Sequence, residues 1–210
     1  IKTDACRIKK RKIMIEFCRH LTNGLIFNND TVEITVSPCC FYDDKPTRLN
    51  IDSDISTQFY QNRIRWLRSD TTKNCNICLN AEKRGQYSYR QASFDLIEGQ
   101  HEQIEFLTVA VNKLCNLACP SCGAHSSSFW YQENVRNNVS QPKNIIRFHN
   151  QNTLNKGTEK FIEFLKNQNL TRLKYIKFGG GEPLMSDTHE RIMSLIPNPE
   201  NVILQYTSNF

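Results

Sequence analysis

The feature that most constrains this chain is a threefold repetition, in which a short β-branched, apolar run leads at once into a loop that carries chemistry. Residues 104–111 (IEFLTVAV) run towards Cys115-x3-Cys119-x2-Cys122, residues 173–178 (LKYIKF) into Gly179-Gly180-Gly181-Glu182-Pro183, and residues 202–206 (VILQY) into Thr207-Ser208-Asn209. Such runs read as strands. Helical patterns stand between them. Residues 158–167 place Phe161, Ile162 and Leu165 on one side; Ile192, Leu195 and Ile196 form a second stripe, opening on Asp187 and Glu190 at capping-box spacing and stopping at Pro197. Strand, loop and helix in repetition predict an α/β fold whose ligands gather at the C-terminal ends of the strands, where both motif loops and Asn209 fall.

The spacing of the cysteines narrows the chemistry. Three closely spaced thiolates can hold an iron-sulfur cube, yet a cube normally takes four, so one iron is left open. An open position marks a catalytic metal site rather than a closed structural one. Downstream, the glycines let backbone approach a ligand closely, and Glu182 offers a carboxylate to an ammonium group. Taken alone, the cysteines also fit part of a zinc site or an electron-transfer cluster whose fourth ligand lies elsewhere. The glycines alone also fit a plain turn.

Taken together, these motifs make residues 101–210 resemble the radical SAM superfamily. The resemblance implies a partial (β/α) barrel, of which this chain carries the first half. By it, Cys115, Cys119 and Cys122 ligate a [4Fe-4S] cluster whose fourth iron is chelated by S-adenosylmethionine. Gly180, Gly181 and Glu182 match the family's GGE motif along the methionine part of that cofactor, with the acid on its amino group. Ser121 stands where the family commonly has an aromatic residue, which weakens the contact to adenine. Asn209 is a further candidate contact, which a strand-end turn explains as well. The implied activity is reductive cleavage of S-adenosylmethionine to a 5′-deoxyadenosyl radical that abstracts hydrogen from substrate, with flavodoxin or ferredoxin as electron donor. Nothing in the chain identifies the residues that act on the substrate.

The first hundred residues carry a second constellation: Cys18, the pair Cys39-Cys40, and Cys75-x2-Cys78. A hairpin is expected between the first two, with residues 25–27 and 31–36 as strands and Asn28-Asn29-Asp30 as the turn. Residues 55–68 read as an amphipathic helix with Tyr60, Ile64 and Leu67 at helical spacing and Phe59 and Trp66 alongside. Four thiolates delivered this way can enclose one metal centre. The hairpin ending in Pro38-Cys39-Cys40, the helix before Cys75, and the trailing Glu82-x2-Gly85-x2-Ser88-x-Arg90 resemble the twitch domain, a shortened relative of the SPASM domain. That resemblance implies a small α+β domain over residues 1–100, placed before the barrel instead of after it. It assigns an auxiliary iron-sulfur cluster to Cys18, Cys39, Cys75 and Cys78, with Cys40 as a substitute for Cys39. Zinc accepts the same four thiolates and stays open as the alternative. Because twitch and SPASM domains recur in enzymes that modify ribosomally made peptides, a peptide is the favoured substrate, ahead of a small molecule.

Nine cysteines in clusters point to metal and not to disulfides, and hence to a reducing cytoplasm. Cys6 reads as a free thiol. A net charge of +6 on 210 residues does not call for nucleic acid. The run Arg7, Lys9, Lys10, Arg11 and Lys12 reads as a solvated helix face or arm. No stretch approaches the ~18 apolar residues of a membrane span. Residues 132–156 read as a polar insertion or long loop, Trp130 and Tyr131 as packing residues, and His125, His149 and His189 as surface or capping residues. Starting at Ile1 and stopping directly after a strand, the chain reads as cut at both ends. Two other functions fit some of these features: a zinc-binding nucleic-acid module and a two-cluster electron-transfer protein.

Overall fold

The three apolar runs that precede the motif loops pair with one another in parallel. They form β4 (Phe106–Ala110), β5 (Tyr175–Gly179) and β6 (Ile203–Tyr206). The computed structural model describes residues 18–29, 34–44, 46–50, 52–96, 103–110, 112–149 and 151–209. Cys6, the basic run at 7–12 and the expected domain boundary near residue 100 lie outside them.

The sheet continues into the first hundred residues. There β1 (Gly24–Asn29) pairs parallel to β4 and antiparallel to β2 (Ile34–Ser37), which in turn pairs with β3 (Thr47–Leu49). The result is a mixed six-stranded sheet in the order β3-β2-β1-β4-β5-β6. Strands from both sides of residue 100 thus share one sheet. At its outer edge, Ile203 and Leu204 of β6 stay exposed.

Alternation along the strands sorts side chains onto two faces. Leu25, Phe27, Leu107, Val109, Ile176 and Phe178 are in register on one face and are all nearly inaccessible. Helices α2 (Ile55–Leu67) and α8 (Gln151–Lys166) cover this face. Phe161 stacks on Phe27 at 3.5 Å and Phe164 meets Phe59 edge-on at 5.3 Å between ring centres. Near the N-terminal edge of the other face, α1 (Arg19–Asn23) and α5 (Tyr89–Leu96) place His20 and Tyr89 against Phe106. Two short helices, α3 (Thr71–Asn74) and α4 (Asn76–Lys83), carry the chain between α2 and α5.

Four expectations are corrected. In α2 the buried side is Ile55, Phe59, Arg63 and Trp66, whereas Tyr60, Ile64 and Leu67 are exposed. Two apolar stripes compete on this helix, and the one with the larger aromatic area meets the core. The expected turn residues Asn28 and Asn29 are strand residues paired with Thr35 and Ile34. Buried Asn29 is held there because its amide donates to the Leu154 carbonyl at 2.7 Å and to Thr158 Oγ1 at 3.3 Å. Residues 132–156 are not a long loop: they hold most of α6 (Ser128–Arg136), all of α7 (Lys143–Phe148) and the start of α8. The polar composition there reflects exposure of these helices and not absence of structure. Finally, Asp187 precedes α9 (Thr188–Met193) without a side-chain capping bond, so the capping-box reading fails. Among the described residues, no helix is long and apolar enough to cross a membrane.

Candidate functional site

Parallel strands end together, so the loops leaving β4, β5 and β6 are brought to one edge. The cysteine loop leaves β4, the glycine loop leaves β5, and Ser208-Asn209 leaves β6. The first two are locked by backbone bonds: Gly181 N–H donates to the Asn112 carbonyl at 3.1 Å and Glu182 N–H to the Leu114 carbonyl at 2.5 Å. This contact explains the glycines. A Cβ on Gly181 would lie 2.0 Å from the Leu114 oxygen, and one on Gly180, whose φ is +110°, would lie 2.7 Å from the Asn112 oxygen. Gly181→Ala is therefore expected to cost about 1–3 kcal/mol through overpacking against backbone. Gly179→Ala, where a Cβ meets nothing within 4 Å, should be close to neutral. Urea unfolding of the two variants checks the difference.

The cysteine loop is braced from α6. Ser128 Oγ accepts from Cys115 N–H at 3.0 Å, Ser127 Oγ donates to the Leu117 carbonyl at 3.1 Å, and the Trp130 indole N–H donates to the Cys119 carbonyl at 3.0 Å. Trp130 thus fixes the loop, in keeping with a packing role. Cys119 and Cys122 flank a turn closed by a 2.9 Å backbone bond. Cys115 and Cys119 are half-buried and Cys122 is exposed, all three as free thiols. Soft donors without disulfide partners, reachable from solvent, fit an iron-sulfur centre chemically. Ser121 is exposed in the turn. His149 Nε2 lies 2.6 Å from the Ala124 carbonyl while its ring stacks on Tyr131, and His189 Nδ1 lies 3.0 Å from the Ser186 carbonyl, so both serve local structure.

Glu182 is buried, with hydrogen bonds converging on its carboxylate. Asn209 N–H donates at 2.8 Å, Leu184 N–H at 3.2 Å, and Ser208 Oγ at 3.0 and 3.1 Å to the two oxygens. Burial pushes its proton affinity up, but the Asn209, Leu184 and Ser208 bonds outweigh it and hold the group below the usual carboxylate range. Glu182 is thus an anion that ties the glycine loop to the end of β6. The Asn209 side chain continues the tie, donating to Asn116 Oδ1 at 2.8 Å and reaching Cys115 Sγ at 3.8 Å.

At the opposite edge of the sheet, Cys18 precedes β1 and Cys39 follows β2, while Cys75 and Cys78 stand at the start of α4. All four are buried free thiols, whereas Cys40 is exposed. Burial, reinforced by Cys75 and Cys78 nearby, pushes the Cys18 thiol up to about 12. Burial and the proximity of Cys18 raise Cys39 further, and burial with Cys78 raises Cys75. A cation is what would stabilise the ionised forms of thiols so buried. In donor type alone, four thiols suit zinc or an iron-sulfur centre. Among the described residues, no group of three or more His, Cys, Asp or Glu side chains is placed to hold a metal ion.

Around the buried set, the Glu82-x2-Gly85-x2-Ser88-x-Arg90 segment closes on itself. Gly85 takes a φ of +74° at the end of α4, which turns the chain so that Ser88 Oγ and the Arg90 guanidinium both bond Glu82. Arg90 lies near enough to Cys75 to lower that thiol's proton affinity, against the larger effect of burial. The sequence pattern marks this segment without saying what it does. His20 escapes sequence reasoning altogether: two positions after Cys18, its buried ring stacks on Tyr89 at 4.7 Å, and nothing in its sequence context signals burial. Compared with protein-family models, with curated proteins and with solved structures, the chain finds no match in any of the three.

Proposed function

We propose that the chain is a radical SAM enzyme with an auxiliary metal centre, acting on a peptide in preference to a small molecule. The observation that carries this reading is the interlock of the cysteine loop, the glycine loop and Asn209 at one end of three parallel strands. The Cys115 sulfur, the Asn209 amide and an ionised Glu182 carboxylate are linked there, in the loops that also carry Cys119 and Cys122. Cys115, Cys119 and Cys122 would hold a [4Fe-4S] cluster, with Gly180, Gly181 and Glu182 lining the place of S-adenosylmethionine. A cluster bound there would supply the electron for reductive cleavage of that cofactor. Glu182, already charged, would take the cofactor's ammonium as a further donor beside Asn209, Leu184 and Ser208. Cys18, Cys39, Cys75 and Cys78 would hold an auxiliary iron-sulfur cluster, or zinc on the same donor set. A flavodoxin- or ferredoxin-like donor follows from the need for low-potential electrons, and a cytoplasmic setting from clustered cysteines read as metal ligands and not disulfides.

The test is anaerobic reconstitution followed by counting iron and zinc per chain. With two cubes the chain should hold about eight irons, and Cys119→Ala should remove about four. Wild type, reduced with S-adenosylmethionine present, should form 5′-deoxyadenosine and the Cys119→Ala chain none. The Cys75→Ala, Cys78→Ala double variant should retain some uncoupled cleavage. Stoichiometric zinc without iron overturns the reading. About four irons and one zinc would keep the enzyme and make the N-terminal site a zinc site.

A further inference from the structure

We infer that Asn209 is a positioning residue that acts on the Cys115 sulfur, and through it on the reduction potential of the metal centre held there. The inference rests on the proposed function and adds to it a role for a residue outside both motifs. Three observations carry it. First, the Asn209 backbone is fixed: its N–H donates to Glu182 Oε2 at 2.8 Å, and the preceding Ser208 hydroxyl bonds both Glu182 oxygens. Second, its amide nitrogen has two hydrogens and two neighbours placed to use them, Asn116 Oδ1 at 2.8 Å and Cys115 Sγ at 3.8 Å, the longer distance suiting the larger sulfur atom. Third, the thiol of Cys115 has its sulfur 3.6 Å from the Leu117 carbonyl. Once that sulfur is a thiolate, a carbonyl can no longer accept from it, and the amide of Asn209 remains a donor to it.

A hydrogen bond to a ligating sulfur stabilises the more negative, reduced state of an iron-sulfur centre more than the oxidised state, and so raises its potential. An amide serves this purpose without titrating. It also couples the end of β6 to the metal, because the same residue clamps Glu182 through its backbone. Whatever shifts the glycine loop or β6 would change the donor distance to Cys115.

The experiment compares wild type, Asn209→Ala and Asn209→Asp after anaerobic loading with iron and sulfide. Iron content is counted first, and reduction is then titrated while the reduced cluster is followed by electron paramagnetic resonance. The variants should keep their iron and be harder to reduce, by roughly tenfold in the equilibrium for alanine, or ~59 mV for one electron. Aspartate, which removes the donor and adds a charge, should shift it further. A second wave from the N-terminal set, at the far edge of the sheet, should stay in place. An unchanged potential in both fully loaded variants overturns the inference and leaves the proposed function standing. Loss of iron from both variants also overturns it, since Asn209 would then hold the loop and not tune it. Failure of wild type to bind iron at Cys115 would instead sink the proposed function itself.

Discussion

Arg90→Met should lower the stability of the metal-free chain by about 3–5 kcal/mol, because it strands the Glu82 carboxylate in a buried setting without its cation. The two side chains are only 4% and 12% exposed, and the guanidinium bonds both carboxylate oxygens, one of them through Nε at 3.0 Å. Breaking such a pair from one side is far more costly than removing it whole. The double variant Glu82→Leu, Arg90→Met should therefore recover most of the loss, which a double-mutant cycle read by urea unfolding would measure. A single-variant cost below ~1 kcal/mol would mean the pair is solvated, as surface pairs are. If Cys75 ligates metal as proposed, Arg90→Met should also make that site harder to load, since a cation that favours the thiolate is gone.

Acid should weaken the fold through His20. Burial lowers its pKa from 6.5 to about 4, and neither ring nitrogen has a hydrogen-bond partner among the described residues. With the folded value depressed, the neutral ring's contribution is fully present above pH 6.5 and is lost progressively as pH falls through 4. The full effect is about 3 kcal/mol, at 1.36 kcal/mol per pKa unit. His20→Phe should flatten this part of the stability profile while preserving the stacking on Tyr89 and the edge contact with Phe106. At neutral pH it should be no less stable than wild type, since two unpaired buried nitrogens are removed. Chemical denaturation at pH 7, 5.5 and 4.5 checks both statements. A wild-type profile no steeper than that of His20→Phe would show the ring to be solvated.

Strands β4, β5 and β6 are legible in the sequence because each is an apolar run cut off by residues that cannot continue it. The motif loops fall at one edge for the same reason. Pairing across distance is not legible: that Gly24 to Asn28 would lie parallel to Phe106 to Ala110 depends on the whole sheet, and no local pattern encodes it. Helix faces fail where two stripes compete, as in α2, since only the partner surface decides which is buried. The helices within residues 132–156 are hidden by polarity, because exposed helices carry little of the apolar periodicity that marks a buried one. Within the site, the sequence presents Gly181 as space for a ligand, whereas its immediate neighbour in the structure is the Leu114 carbonyl. Asn209 reads from its position as a contact to the cofactor; its pairing with Glu182 and Cys115 needs the register of β6 against β5, which spacing alone does not supply.

The placement of the two cysteine sets at opposite edges, one buried and one open, means that oxygen meets them unequally. Oxidation follows thiolate character and exposure. Cys122 stands exposed in its loop, whereas Cys18, Cys39, Cys75 and Cys78 are buried. In air, Cys122 and its loop should oxidise ahead of the four buried thiols. Protein prepared on the bench would therefore be a mixed material, intact at one end of the sheet and chemically spent at the other. If both sets hold metal as proposed, metal counted in such material would report on the buried set alone, and a two-centre protein would look like a one-centre protein.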